Sequence, residues 1–203
     1  MKEILIFVFI LLIVFVFVIA IFNGRFIYAQ LKYSFIGMPP AFSDIKQKSS
    51  LLFLKDKEEI VPNRLVIPSL GIEAPIIFSP SINEAVLQKA LEGGVVYYPG
   101  SSFLGENGTM VILGHSSAYP WYKGQYGSIF ALLNKLNPGD EIIVFSKDKV
   151  FNYRVEGKEI MAPKDLVFSK EKDKAVLYLV SCWPINTAWK RIVVRTTQTI
   201  DKN

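Results

Sequence analysis

The chain has 203 residues, 51% of them hydrophobic, and carries 23 Lys and Arg against 18 Asp and Glu, a net charge of +5. That length holds one domain of ordinary size with an appendage, not two full domains. A single cysteine, Cys182, and a single histidine, His115, exclude an internal disulfide and a four-ligand structural zinc site.

The apolar excess is concentrated at the start. Ile4 to Phe22 is an unbroken apolar run without charge, Pro or Gly. As a helix it spans roughly 28 Å, the thickness of a hydrocarbon core. A cleaved signal peptide would have about 7–15 apolar residues ending in small residues. This run is longer and ends Ile21-Phe22-Asn23-Gly24-Arg25, so residues 1–23 read as an uncleaved anchor held in lipid through residues 4–22. Lys2 before the span and Arg25 and Lys32 after it tilt the local charge slightly against an exported C-terminus, a weak signal for a long domain.

Residues 24–63 read as a stalk. They contain Gly37, Pro39-Pro40, Pro62 and the charged run Lys55 to Glu59, with short helical pieces expected over Ala41–Lys48 and Ser50–Ile60. A compact domain is expected over 64–203. Arg64 to Phe78 reads as two short strands around a Pro-Ser-Leu-Gly turn. Ser81-Ile-Asn-Glu84 has the pattern of a capping box, opening an amphipathic helix through Leu91 that Gly93-Gly94 closes. Val95–Tyr98 and Thr109–Leu113 are strand-like, and Ser128–Lys135 looks like a short helix. Glu141–Phe145 and Val150–Val155 form a hairpin, and Ala175–Ser181 and Arg191–Thr197 are the last strands. Short strands at this spacing with few helices imply an all-β barrel or sandwich. Lysines such as Lys164, Lys170, Lys172 and Lys174 are scattered near acids and make no basic stripe of the kind nucleic acid requires.

Three residues bear on chemistry. Free cysteines are commonly buried and inert. Cys182, however, stands where a strand runs into Trp183-Pro184, a place that holds the backbone while the side chain meets solvent. His115 follows the strand ending at Leu113-Gly114 in the same way, and it is the only imidazole available. An isolated thiol is only a few per cent thiolate at pH 7; an adjacent imidazole raises that fraction and can protonate a departing amine. An acyl transfer also needs a group for the oxyanion. Arg191 and Arg195 project from one face of the last strand, roughly 13 Å apart, so only one of them can stand opposite Cys182. Both also suit the exterior of an edge strand.

Tyr178-Leu-Val-Ser-Cys182 followed by Arg191-Ile-Val-Val, together with Leu113-Gly-His115, resembles the signature of the sortases. These are membrane-anchored cysteine transpeptidases of the bacterial cell surface, with Thr-Leu-x-Thr-Cys at a strand end and an Arg opening the next strand. Asn186-Thr187 is similar to the loop of the pilin-type, class C-like members. The resemblance covers roughly Arg64 to Thr197 and implies an all-β fold, a closed eight-stranded barrel with short helices behind the transmembrane helix. It implies Cys182 as nucleophile, His115 as general acid/base and Arg191 as oxyanion and substrate stabiliser. The chemistry would need no cofactor. Some members bind calcium, but Glu106, Asp140 and Glu141 map onto no such site and read as solvated surface. The implied substrates are exported proteins with a C-terminal Leu-Pro-x-Thr-Gly-like sorting motif, and the implied acceptor is an amine of a cell-wall precursor or a pilin lysine. The N-terminus would be cytoplasmic and the domain extracytoplasmic, overruling the charge bias.

Two departures stand out. Tyr178 replaces the first Thr of the motif, and Ser181 replaces the Thr before the Cys while keeping its hydroxyl. Tyr178, Val180 and Cys182 share one face, so the Tyr falls on the nucleophile's side; Tyr178, Ser181 and Trp183 are the candidate substrate-binding residues. Trp183 and Trp189 either line the groove or are buried beneath their loop. No Asp-Pro-aromatic lid motif occurs in Asn23–Asn63, which argues against pilin polymerisation. The rivals are another Cys-His acyl-transferase or protease, whose local signatures are missing here, and a non-catalytic membrane-tethered β-domain.

Overall fold

The computed structural model describes residues 2–35, 63–119, 122, 124–146 and 149–199. The helical pieces expected over 41–48 and 50–60, and most of the stalk, lie outside them.

Helix α1 runs from Lys2 to Phe35, about 51 Å at 1.5 Å per residue. Its segment Lys2–Ala20 is long and apolar enough to cross a membrane. The sequence reading ended the helix at residue 23, but helical structure continues to Phe35. Residues 24–35 include Ala29, Gln30, Leu31 and Lys32, good helix formers, and no Pro occurs before Pro39.

Among the described residues eight strands close into a barrel: β1 (Arg64–Ile67), β2 (Ile72–Phe78), β3 (Val95–Tyr97), β4 (Gly108–Leu113), β5 (Glu141–Ser146), β6 (Lys149–Met161), β7 (Ala175–Trp183) and β8 (Lys190–Gln198). Their order around the barrel is β1-β2-β3-β4-β7-β8-β6-β5, with β5 returning to β1. The expected all-β, eight-stranded architecture is therefore present. The pairs β2–β3 and β4–β7 are parallel and the others antiparallel. A parallel pair requires a crossover. Between β2 and β3 that crossover is helix α2 (Glu84–Leu91), which buries Leu87 and Leu91 on the barrel's outer surface beside Val96.

Side chains alternate between two layers. On β7, Leu177 and Leu179 point into the barrel with Ile112, Ile192 and Val194, all essentially without solvent exposure. Val176, Tyr178 and Val180 point outward and pack with Val111 and Val193. Burying each such aliphatic chain contributes about 1.5–3 kcal/mol, so the pattern fixes the register strongly, since a one-residue slip would exchange the layers.

The structure redraws several element boundaries. The cap of α2 is Asn83, whose side chain accepts from the Ala85 N–H at 3.0 Å. Ser81 instead accepts from the Asn83 N–H at 3.1 Å, two residues before the cap position that the box requires. The 128–135 stretch is a series of tight turns with a 3-10 helix only at Leu133–Lys135. Phe130 N–H is diverted to the His115 carbonyl, and Ala131, Leu133, Lys135 and Leu136 bond three residues back. Strand β6 continues past Val155 to Met161 through a bulge near Glu156, leaving β5 to pair with β8. Its Glu-Gly-Lys-Glu stretch, beyond the strand end expected at Val155, closes the barrel against β8.

Candidate active site

Strands β4 and β7 run parallel with Leu113 opposite Val180. The pairing carries one step further: Gly114 N–H donates to the Val180 carbonyl at 3.1 Å, and the Ser181 hydroxyl, buried, donates to the Gly114 carbonyl at 2.7 Å. His115 and Cys182 come next on the two strands. By alternation both share the outer face with Leu113 and Val180, on chains about 4.8 Å apart. Across the other edge of β7, Cys182 pairs directly with Arg191 of β8, where facing Cβ atoms are about 5 Å apart. The barrel thus brings His115, Cys182 and Arg191 side by side on one outer face. Cys182 lies inside β7, which ends at Trp183, and its thiol is free and half-buried.

The two arginines of β8 have different surroundings. Arg191 Nη1 donates to the Ala188 and Lys190 carbonyls, both at 3.0 Å. A guanidinium has five donors, so Nε and Nη2 remain for a ligand. Arg195 is consumed by Glu171 at 2.9 Å, by Glu156 and by the Tyr178 hydroxyl at 3.1 Å. Only Arg191 adjoins the thiol.

His115 is positioned from several directions. Its carbonyl accepts from Phe130 N–H at 2.9 Å. Its ring meets Tyr122 edge-on, with centroids 5.5 Å apart and planes at 83°, and the Tyr122 hydroxyl is anchored on the Leu91 carbonyl at 2.9 Å. The preceding residue must be Gly, because a Cβ on Gly114 would lie 2.4 Å from the Phe130 ring. His115 Nε2 is buried without a hydrogen-bond partner among the described residues, a group that a reacting proton would satisfy. Burial pushes the imidazole pKa below its usual 6.5, and the Glu84 carboxylate at the start of α2 partly opposes that shift. The ring is therefore neutral at pH 7.

The other candidates divide by face. Trp183 points inward and packs against the barrel interior, whereas Trp189 is 77% exposed in the β7–β8 loop. Ser181 is inward and ties β7 to Gly114. Tyr178 is on the thiol's face but four residues back, buried, with its hydroxyl engaged by Ser169 and Arg195. Asn186, at φ 65°, donates its N–H to Ser117 Oγ at 2.9 Å and so links the β7–β8 loop to the His115 loop. The acids considered for calcium are spread out: Asp140 caps the Asn137 N–H and Glu141 pairs with Arg154. Among the described residues no three His, Cys, Asp or Glu side chains gather to hold a metal. The roles of Glu84, Tyr122 and Phe130 beside His115 carried no sequence signal, because they depend on contacts between distant segments.

The family model for the sortase domain matches residues 65–199. The chain belongs to the sortase family. It is 24% identical over 139 residues to sortase A of Bacillus anthracis, covering 68% of this chain and 60% of that relative. The chain thus spans about 60% of the length of that curated relative. The fold is similar to that of sortase C-1 from Actinomyces oris, with a TM-score of 0.59, 20% identity and coverage of 81% and 88% of the two chains. It is likewise similar to a Clostridium perfringens sortase D5 transpeptidase, with a TM-score of 0.56, 21% identity and coverage of 84% and 93%.

Proposed function

We propose that this chain is a membrane-anchored cysteine transpeptidase that cuts a C-terminal Leu-Pro-x-Thr-Gly-like sorting motif and transfers the acyl part to an amine. The observation that carries this reading is the register that sets Cys182 between His115 and Arg191 on one face. The neutral His115 imidazole takes the thiol proton as Cys182 Sγ attacks the Thr carbonyl carbon. Arg191 donates to the resulting oxyanion, a contribution of about 10²–10³ in rate for one such donor. The C–N bond to Gly then breaks, the leaving amine takes the proton from His115, and a thioester remains on Cys182. An acceptor amine attacks that thioester, a new amide forms and the thiol is regenerated. No step calls on a cofactor.

The apolar segment Lys2–Ala20 supports a single-span anchor, with the N-terminus in the cytoplasm and the barrel outside, facing exported substrates. Protease accessibility of the barrel on intact cells tests that orientation; a protected barrel reverses it. For the chemistry, the full chain in detergent is incubated with a panel of motif peptides and Cys182 is examined by mass spectrometry. An acyl adduct whose mass matches the peptide cut before Gly is expected. A folded protein that gives none across the panel sinks the substrate assignment.

A further inference from the structure

Tyr178 departs from the sortase motif, and its side chain belongs to a structure of its own. The outer face of β7 is covered by residues 161–174, between β6 and β7. Met161, Leu166 and Phe168 lie against the outward cluster that contains Val180 and Val193. This covering segment starts at the active site, because Met161 pairs with Arg191, which pairs with Cys182. Its regular structure amounts to one 3-10 turn at Pro163–Asp165, and Val167 is 83% exposed, so its place depends on side-chain bonds.

Those bonds close into a ring. Arg195 Nε donates to the Tyr178 hydroxyl at 3.1 Å, which lies 2.9 Å from Ser169 Oγ. Ser169 Oγ donates to Glu171 Oε1 at 2.9 Å, and Glu171 returns to Arg195 Nη2 at 2.9 Å. Thr109 of β4 joins the same stretch, bonding the Ser169 carbonyl and accepting from the Glu171 N–H at 3.2 Å. Each member satisfies its neighbour in a partly buried site, where such chains are strengthened by mutual polarisation. Cavities of about 360 and 320 Å³ lie on either side of this seam, toward β4 and toward β6–β8 respectively. The Thr of the family motif would end at its γ position, too short to reach Ser169 and Arg195 together.

We infer that Tyr178 and Arg195 are positioning residues for the sorting-motif groove: they hold residues 166–171 over β7, so that the wall that starts at Met161 beside Arg191 and packs on Val180 stands before a peptide arrives. This rests on the sortase reading above. A wall ordered in advance spares the bound complex the entropy of fixing that segment. Its loss therefore weakens peptide binding more than it slows the chemistry at Cys182.

The test compares the full chain in detergent with Tyr178→Phe, which keeps the ring and removes the hydroxyl, and with Tyr178→Thr. Amide exchange across 166–172 is expected to quicken about tenfold in Tyr178→Phe and further in Tyr178→Thr, while β4 and β7 keep their protection; a tenfold change corresponds to the loss of about one hydrogen bond. With a motif peptide, KM is expected to rise about fivefold to tenfold and kcat to stay within about twofold. A merely structural role would lower the melting temperature without that split. Unchanged exchange over 166–172 overturns the clamp, and faster exchange with unchanged KM overturns the positioning role. Absence of turnover by the parent chain is the failure of the sortase reading, and the groove role falls with it, whereas the exchange result separately reports whether Tyr178 holds the segment. Should Tyr178→Phe not fold, Ser169→Ala opens the ring from an exposed position, removing the bonds of Ser169 to Tyr178 and Glu171, and carries the same expectations.

Discussion

Gly114 couples the barrel interior to the imidazole, and replacing it by Ala measures that coupling. On β4 the inward positions are Met110, Ile112 and Gly114, and the missing Cβ of Gly114 faces the Phe130 ring. A Cβ there would stand 2.4 Å from Cδ2 and 2.8 Å from Cε2 and Cγ, against ordinary contact from 3.4 Å. The ring must withdraw by about 1 Å, yet Phe130 is only 1% exposed and packed into the core, where overfilling costs about 1–3 kcal/mol. Phe130 N–H also holds the His115 carbonyl, so the displacement passes to the catalytic candidate. Gly114→Ala is therefore expected to lower the melting temperature by several degrees, about 2–4 °C per kcal/mol at this size. It is expected to slow acylation of Cys182 by up to about 100-fold, the cost of a 1 Å misplacement. Phe130→Leu makes room, so the double variant should recover part of both losses, with a coupling of about 1–2 kcal/mol in a double-mutant cycle read by calorimetry and by adduct mass. A Gly114→Ala protein as stable and active as its parent, or strictly additive variants, refutes the argument.

Arg191→Lys should lower the acylation rate about 10²–10³-fold with little change in melting temperature, because a lone ammonium cannot reproduce both the carbonyl anchoring and the oxyanion contact; an unaffected rate removes Arg191 from the site. Glu84→Gln should lower the His115 pKa further, since the Glu84 carboxylate favours the imidazolium. With only one histidine in the chain, its ring protons can be titrated by NMR without ambiguity, and an unchanged or raised pKa contradicts the electrostatic account. The same depressed pKa predicts how stability depends on pH. The unfolded chain binds the proton at about pH 6.5, above the folded value, so this group costs nothing at higher pH and destabilises the fold as pH drops from 6.5 through the folded pKa. Urea unfolding of His115→Asn and the parent should therefore diverge in pH dependence only below about 6.5; divergence only above it would contradict the sign.

What was legible in the sequence follows from the range of the interactions involved. Short, nearly continuous apolar runs marked β4 and β7 nearly to their ends and β8 through its middle, because burial of both faces of a strand is written locally. The turn at Pro68 to Gly71 was legible for the same reason, since Gly71 takes the left-handed conformation, φ 60°, that the turn requires. Beyond that range the signals fail. Asn83 displaced Ser81 as the cap because both residues are capping types, and only the entry angle of the chain decides between them. The strand expected to end at Val155 runs on to Met161, unmarked in the sequence because the partner that makes Glu156-Gly157 a bulged strand, Arg195 at the Gly157 position, is far away in sequence.

The pair of arginines shows where chemistry becomes a matter of register. Sequence spacing puts Arg191 and Arg195 on one face of β8 and can go no further, since both are the same residue on the same strand. The antiparallel register of β7 and β8 places Arg191 opposite Cys182 and Arg195 opposite Tyr178. It thereby assigns one guanidinium to the thiol and the other to the phenol. A slip of two residues along β8 would keep both arginines outward, so the alternation of faces alone does not exclude it. It is opposed on the inner face by buried Thr196, whose hydroxyl donates to the Leu177 carbonyl at 2.9 Å, and on the outer face by the ring of Arg195, Tyr178, Ser169 and Glu171. Breaking that ring with Arg195→Met should therefore loosen the β7–β8 pairing toward its Cys182 end. The expected readout is faster amide exchange at Ile192 and Val193 and faster alkylation of Cys182 by iodoacetamide. If both rates match those of the parent chain, the inward packing of Ile192 and Val194 holds the register unaided.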